Sequence, residues 1–171
     1  MDAQELRTLQ GPLKQAYKDD SRSALIPSIA TGRIDLESVT CSILADGDQS
    51  VAGLHPAAGG GGGLACSADL LLQALVGCAG VTFAAVATAM SVPIRSATVQ
   101  ARGVWDARGT LGVDREVPVG VTDVVVTFDI DSDADDQTLE RLVGLSERYC
   151  VVAQTLVATT SVTTGYVRGA I

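Results

Sequence analysis

The sequence predicts an α+β fold, with strands gathered around one long helix. Three observations predict it. The run from Leu70 to Met90 carries no charge and is long enough for a central helix. The segments 97–105 and 124–130 alternate with the period of two that suits half-buried strands. The elements follow the order strands, long helix, strands, helix, strand, a plan that segregates helices from sheets.

In chain order, Asp2 to Lys18 is expected as a helix, with Leu6, Leu9, Leu13 and Tyr17 at helical spacing and Gly11-Pro12 as an interruption. Residues 1–22 are read as an N-terminal helical arm and residues 23–171 as the main domain. Ala24 to Glu37 is expected as a strand broken near Gly32. Thr40 to Ala45 and Val51 to Leu54 are short strands around an Asp46-Gly47 turn, a hairpin signal. His55-Pro56-Ala57-Ala58 then leads into the five glycines Gly59 to Gly63. This run lacks the Gly-Lys-Ser/Thr ending of a nucleotide loop and reads as a flexible flap over the start of the long helix. Ser67 is expected to cap that helix, with Asp69 in its first turn and Pro93 ending it.

The second half is as regular. Ala97 to Trp105 is a strand, and Val124, Val126, Phe128 and Ile130 mark another. Asp131 to Asp136 reads as a solvated acidic turn that lacks the rest of a calcium loop. Asp136 is expected to cap a second helix with the apolar stripe Leu139, Leu142, Val143 and Leu145. Val151 to Leu156 is expected as a short helix and Ser161 to Arg168 as a final strand.

At 171 residues, with 47% hydrophobic but only 4% aromatic, the chain has a core of Ala, Val and Leu. Its 20 acidic and 12 basic residues give a net charge of −8. That argues against nucleic acid as a partner, because such affinity comes from Lys and Arg neutralising phosphates. Leu70 to Met90 could span a bilayer by length, but it contains Gln73, Gly77, Gly80, Thr82 and Thr88 and lacks basic or aromatic flanks. A buried helix of a soluble protein is the expectation, without a membrane partner. The N-terminus lacks the pattern of a signal peptide, so a cytoplasmic setting with reduced thiols is expected. One His and four scattered Cys lack zinc-site spacing; neither a metal nor another cofactor is expected.

Two cysteines carry the candidate chemistry. Cys78 lies within the long apolar run, where a thiol is normally inert. Cys150 ends the segment Glu147-Arg148-Tyr149-Cys150, beside a basic residue. Cys78 reads either as core filler or as a nucleophile with Cys150 as its resolving partner. Cys41, on a strand, and Cys66, before the helix, read as structural. His55, the sole histidine, reads either as a proton donor holding a thiolate near neutral pH or as a loop histidine beside a turn.

Ser67-Ala68-Asp69-Leu70-Leu71-Leu72-Gln73-Ala74-Leu75-Val76-Gly77-Cys78 resembles the helix that bears the peroxidatic cysteine in the OsmC/Ohr family. Trp105-Asp106-Ala107-Arg108-Gly109 is similar to the D-x-R-G segment of that family, and Glu147-Arg148-Tyr149-Cys150-Val151-Val152 to its second-cysteine region. The resemblance implies an intertwined homodimer, two antiparallel sheets wrapped around long central helices. It implies a thiol-dependent peroxidase acting on organic hydroperoxides in oxidative-stress defence. Cys78 would become a sulfenic acid, Cys150 would condense with it to a disulfide, and an external dithiol would reduce the bond. In the family an Arg held by an acidic residue stabilises the thiolate. Arg33 and Asp69 are the residues carried over, while Ala68 stands at the position of the Ohr-type glutamate and Val151 where proline usually follows the second cysteine. The competing function is a non-catalytic relative that binds an apolar small molecule at the dimer interface.

Overall fold

A computed structural model describes residues 1–44, 49–158 and 160–168. The first helix, α1 (Ala3–Asp19), starts at a reciprocal cap: the Asp2 carboxylate accepts from the Gln4 and Glu5 amides, and Glu5 accepts from the Asp2 N–H at 2.7 Å. Gly11-Pro12 does not interrupt it. Pro12 deprives the Thr8 carbonyl of its helical donor, but this part of α1 is exposed, so water can serve that oxygen. A 3₁₀ turn at Ser21–Ala24 follows.

The first sheet is an antiparallel meander of β1 (Thr31–Asp35), β2 (Thr40–Leu44) and β3 (Gln49–Ala52). β1 is much shorter than the expected Ala24–Glu37, and Pro27, which has no amide to give a ladder, lies in the part that stays irregular. Gly32 is no break; it pairs with Ile43 in the ladder. The Asp46-Gly47 turn lies outside the described residues.

The glycine run is a fitted turn instead of a flap. The Gly60 amide donates to the His55 carbonyl at 3.0 Å, and a Cβ at residue 60 would fall 1.7 Å from the Leu54 carbonyl oxygen. Only glycine permits that approach. The turn delivers the chain to α2 (Ser67–Met90), whose N-cap is Cys66, not Ser67; no side chain caps the first turn. Ser91 closes α2 in the left-handed region at φ 56°, and Pro93 follows two residues on.

The second sheet is the antiparallel pair β4 (Ile94–Val104) and β5 (Thr122–Ser132), with Val99 opposite Phe128. Between them lies the single turn α3 (Ala107–Thr110). The acidic run that begins at the end of β5 is solvated, as expected, with its four aspartates exposed, and it also holds a cation. Arg95 pairs with Asp131 and, at 2.6 Å, with Asp133. Asp135, one residue earlier than expected, caps α4 (Asp136–Tyr149) by accepting from the Thr138 amide at 2.7 Å. The last helix is α5 (Val151–Val157). Residues 161–168 form no strand. Their β-propensity has no neighbouring strand to pair with, and propensity without packing is weak.

The core lies where α2 crosses β4, β5, α4 and α5. Leu75, Ala79 and Cys150 form one cluster; Phe83, Ala87 and Leu142 form the next, and Phe83 stacks on Phe128 with centroids 4.9 Å apart. The buried residues of α2 form a single stripe at four-residue spacing: Leu75, Ala79, Phe83 and Ala87. Burial on every side, as expected, is not met within one chain, since Val81 is 73% exposed. The two-stranded sheet, α4 and α5 cover one face, and α1 adds only partial cover elsewhere. By length and composition alone α2 could cross a membrane.

Candidate thiol site

The site forms where α2 passes beneath the junction of α4 and α5. Cys150 ends α4 and caps α5: its Sγ accepts from the Ala153 amide at 3.5 Å, and the residue is 1% exposed. Leu75 and Ala79 on α2 pack against it, and Cys78 lies beside that cluster, half-buried. Both residues are free thiols.

Their electrostatics diverge. Burial pushes the Cys78 thiol up, yet hydrogen bonds from the Val152 amide, the Cys150 thiol, the Val151 amide and the Thr82 hydroxyl outweigh it. The net effect holds Cys78 below a free thiol, because each donor favours the thiolate. Cys150 moves the other way. Burial raises it first, and its role as donor to Cys78 adds to the rise, against the opposing Ala153 amide. The pair therefore loses its first proton from Cys78 and keeps the second on Cys150. This is the order a nucleophile and a resolving thiol require.

Sequence reasoning had not identified Thr82 or the Val151 and Val152 amides. Thr82 was readable in principle, one turn after Cys78 on the same helix face. The amides point at Cys78 because α5 starts directly at Cys150. Val151 matters for the same reason: a proline there would have no N–H to give.

The other candidate residues lie elsewhere. Asp69 is exposed in the first turn of α2, about 13 Å along the helix from Cys78. His55 caps a 3₁₀ turn: its Nδ1 accepts from the Ala57 amide at 3.0 Å, which leaves the proton of a neutral ring on Nε2. Its ring lies perpendicular to that of Trp105, centroids 5.3 Å apart, and borders a cavity of about 370 Å³ with Cys66 at the N-terminus of α2. Arg33 is exposed on β1 and pairs with no carboxylate among the described residues. The structure thus brings Cys78 and Cys150 together and does not bring Arg33, Asp69 or His55 to them within one chain.

The Asp106-Ala107-Arg108-Gly109 segment is a self-contained clip. The Arg108 guanidinium reaches Asp106 at 2.6 Å, and that side-chain contact holds the Asp106 carboxyl down to about 2. Gly109 lies against the backbone of residues 117–118, where a Cβ would sit 2.8 Å from the Pro118 carbonyl oxygen. An apolar cavity of about 460 Å³ opens beside Cys150, walled by Leu75, Val126, Phe128 and Leu156, with Glu147 at its margin. No group of three or more metal-ligating side chains occurs among the described residues.

An α+β chain with one thiol on its long central helix and a second at a helix junction touching it defines a class of two-cysteine proteins. The chain belongs to the OsmC-like family: the family description "OsmC-like protein" matches residues 59–165. No curated protein matches it. Among solved structures, an OsmC-like protein from Mycoplasma pneumoniae aligns with a TM-score of 0.64 at 16% identity, over 78% of this chain and 89% of that one. An organic hydroperoxide resistance protein from Elizabethkingia anophelis aligns at 0.62 and 11% identity, over 78% and 91%. An organic hydroperoxide resistance protein OsmC from Legionella pneumophila gives 0.60 and 14%, over 78% and 90%. At these identities the likeness is one of fold.

Proposed function

We propose that this protein is a thiol-dependent peroxidase that reduces organic hydroperoxides in oxidative-stress defence. One observation carries the reading: two free thiols meet where α2 passes the junction of α4 and α5, with Cys150 buried beside Leu75 and Ala79 and Cys78 packed against that cluster. The family membership and the hydroperoxide resistance proteins of like fold support it.

The Cys78 thiolate attacks the O–O bond of a hydroperoxide. An S–O bond forms, the O–O bond breaks, and the alkoxide leaves, taking a proton to become an alcohol. Cys78 is then a sulfenic acid. The Cys150 sulfur displaces its oxygen as water, giving the Cys78–Cys150 disulfide. An external dithiol reduces that bond by exchange. Val152, Val151 and Thr82 hold the thiolate within one chain. Arg33, Asp69 and His55 are proposed to act on the thiol site only in the homodimer, where a second copy supplies what one chain lacks.

A stoichiometric dose of an alkyl hydroperoxide, followed by peptide mapping, tests the reading. The expected product is the Cys78–Cys150 disulfide; Cys150→Ser leaves a trappable sulfenic acid on Cys78, and Cys78→Ser consumes no hydroperoxide. Reduced thiols alone, or a bond through Cys41 or Cys66, would overturn it. The cavity beside Cys150 favours a second reading, a non-catalytic protein that binds an apolar small molecule. That reading gains if the wild type consumes no hydroperoxide with any dithiol.

A further inference from the structure

The corner between α4 and α5 is made by a single residue. Cys150 closes α4 and caps α5, with no linker between them. The helix beyond the corner is short and poorly anchored. It has seven residues, none of them buried, and Val151 and Val157 are open to solvent. A helix of that length does not hold itself in water. Only Val152 and Ala153 pack on the cluster of Leu75, Ala79 and Cys150, where Cys78 packs too. The angle at which α5 leaves the corner therefore depends on the hydrogen bonds made there.

Cys150 makes two of these bonds itself. Its amide donates to the Glu147 carbonyl at 3.3 Å, and its Sγ accepts from the Ala153 amide at 3.5 Å. The first is long, and the second ends on sulfur, a weak acceptor. Gln154 makes the stronger tie. Its Nε2 donates to the same Glu147 carbonyl at 3.0 Å, from seven residues further on. Among the described residues this is the one side-chain hydrogen bond that joins α5 to α4. The Gln154 amide also donates to the Cys150 carbonyl at 2.9 Å. Gln154 thus grips both sides of the corner, α4 through its side chain and the first turn of α5 through its backbone.

We propose that Gln154 is a positioning residue for the thiol pair, its side-chain amide locking the corner between α4 and α5 so that the chain beyond Cys150 stays turned toward Cys78 on α2. Its side chain is bonded to Glu147 and acts on the sulfurs only through the corner. An apolar residue of like size at 154 leaves the corner to Cys150 alone. A loosened corner takes the first amides of α5 off the Cys78 sulfur for part of the time, and the thiolate loses those donors. The role rests on the peroxidase reading only in making this pair the reacting one.

Alkylation of each thiol against pH, in the reduced full-length protein, tests it. Gln154→Met keeps side-chain length and helix propensity but has no donor. It moves the Cys78 midpoint upward by about half a pH unit, the share of a hydrogen bond lost part of the time. Gln154→Lys still reaches the carbonyl with an N–H. It keeps the wild-type midpoint in high salt, where its added charge is screened. Amide exchange at residues 151 and 152 quickens in Gln154→Met and not in Gln154→Lys. Gln154 is exposed, so both variants keep the fold, which circular dichroism and an unchanged denaturant midpoint check. Given one equivalent of an alkyl hydroperoxide, Gln154→Met also forms the Cys78–Cys150 disulfide more slowly than the wild type. A failure of the peroxidase reading removes only this last result, since alkylation needs no turnover. An unmoved Cys78 midpoint in Gln154→Met, or an equal rise in Gln154→Lys, overturns the proposal.

Discussion

At the scale of residues, the thiol pair is governed by backbone donors. Cys78 lies below a free thiol because two amides, a thiol and a hydroxyl outweigh the burial that raises it. The Cys78 thiolate grows in as pH rises through a value below that of an unfolded thiol, whereas Cys150 stays protonated to higher pH. Alkylation monitored residue by residue against pH therefore gives an earlier midpoint for Cys78 than for Cys150. Val151→Pro fits the first position of a helix but removes one donor, so it moves the Cys78 midpoint upward. Coincident midpoints, or no movement in Val151→Pro, would contradict this account. Cys78 and Cys150 were legible in the sequence as a candidate pair, one thiol in the apolar run and one beside Arg148, and the family resemblance favoured the nucleophile over core filler. Thr82 was legible from helical spacing. The two amides were not, because a backbone donor has no letter of its own and depends on the path of the chain after Cys150.

At the scale of elements, local packing decided where sequence patterns held. The stripe of α4 was readable, and Leu142 is fully buried against Phe83 and Ala87. Leu142→Ala should cost about 3 kcal/mol through lost burial and the cavity left behind, seen in a denaturant titration. An unchanged midpoint would place Leu142 outside the core. The strands 97–105 and 124–130 were readable because one face of each meets α2. The helix caps shifted by a residue: Asp135 takes the Thr138 amide in place of Asp136, and α2 starts at Cys66 with no side-chain cap. Pro12 within α1 and the missing strand at 161–168 went against expectation for one reason. Propensity yields to whether an element's polar groups find water or a partner.

At the scale of the molecule, α2 is incompletely covered. One stripe is buried, while Val81 at 73% and Leu71 at 36% remain open beside other apolar groups. Exposed apolar surface of this kind marks an association face. The expected outcome is a homodimer, measured as twice the chain mass by light scattering at micromolar concentration. A monomer mass would leave Arg33 without a route to any thiol pair. The apolar character of the helix was plain in the sequence, but which faces one chain covers was not. That depends on how few elements surround it.

The junction at Cys150 has a further consequence. In the reduced protein the first amides of α5 have a sulfur acceptor on Cys78. Once that sulfur is bonded to Cys150 it carries no charge and is a poor acceptor. The first turn of α5 then loses the ligand that its amides held, and opens more often. Hydrogen–deuterium exchange at residues 151 and 152 becomes a clock of oxidation: slow in the dithiol, faster in the disulfide. Equal exchange in both states would mean that α5 is indifferent to the thiols. The helix that tunes the nucleophile would in this way signal, by its own fraying, that the nucleophile has been used.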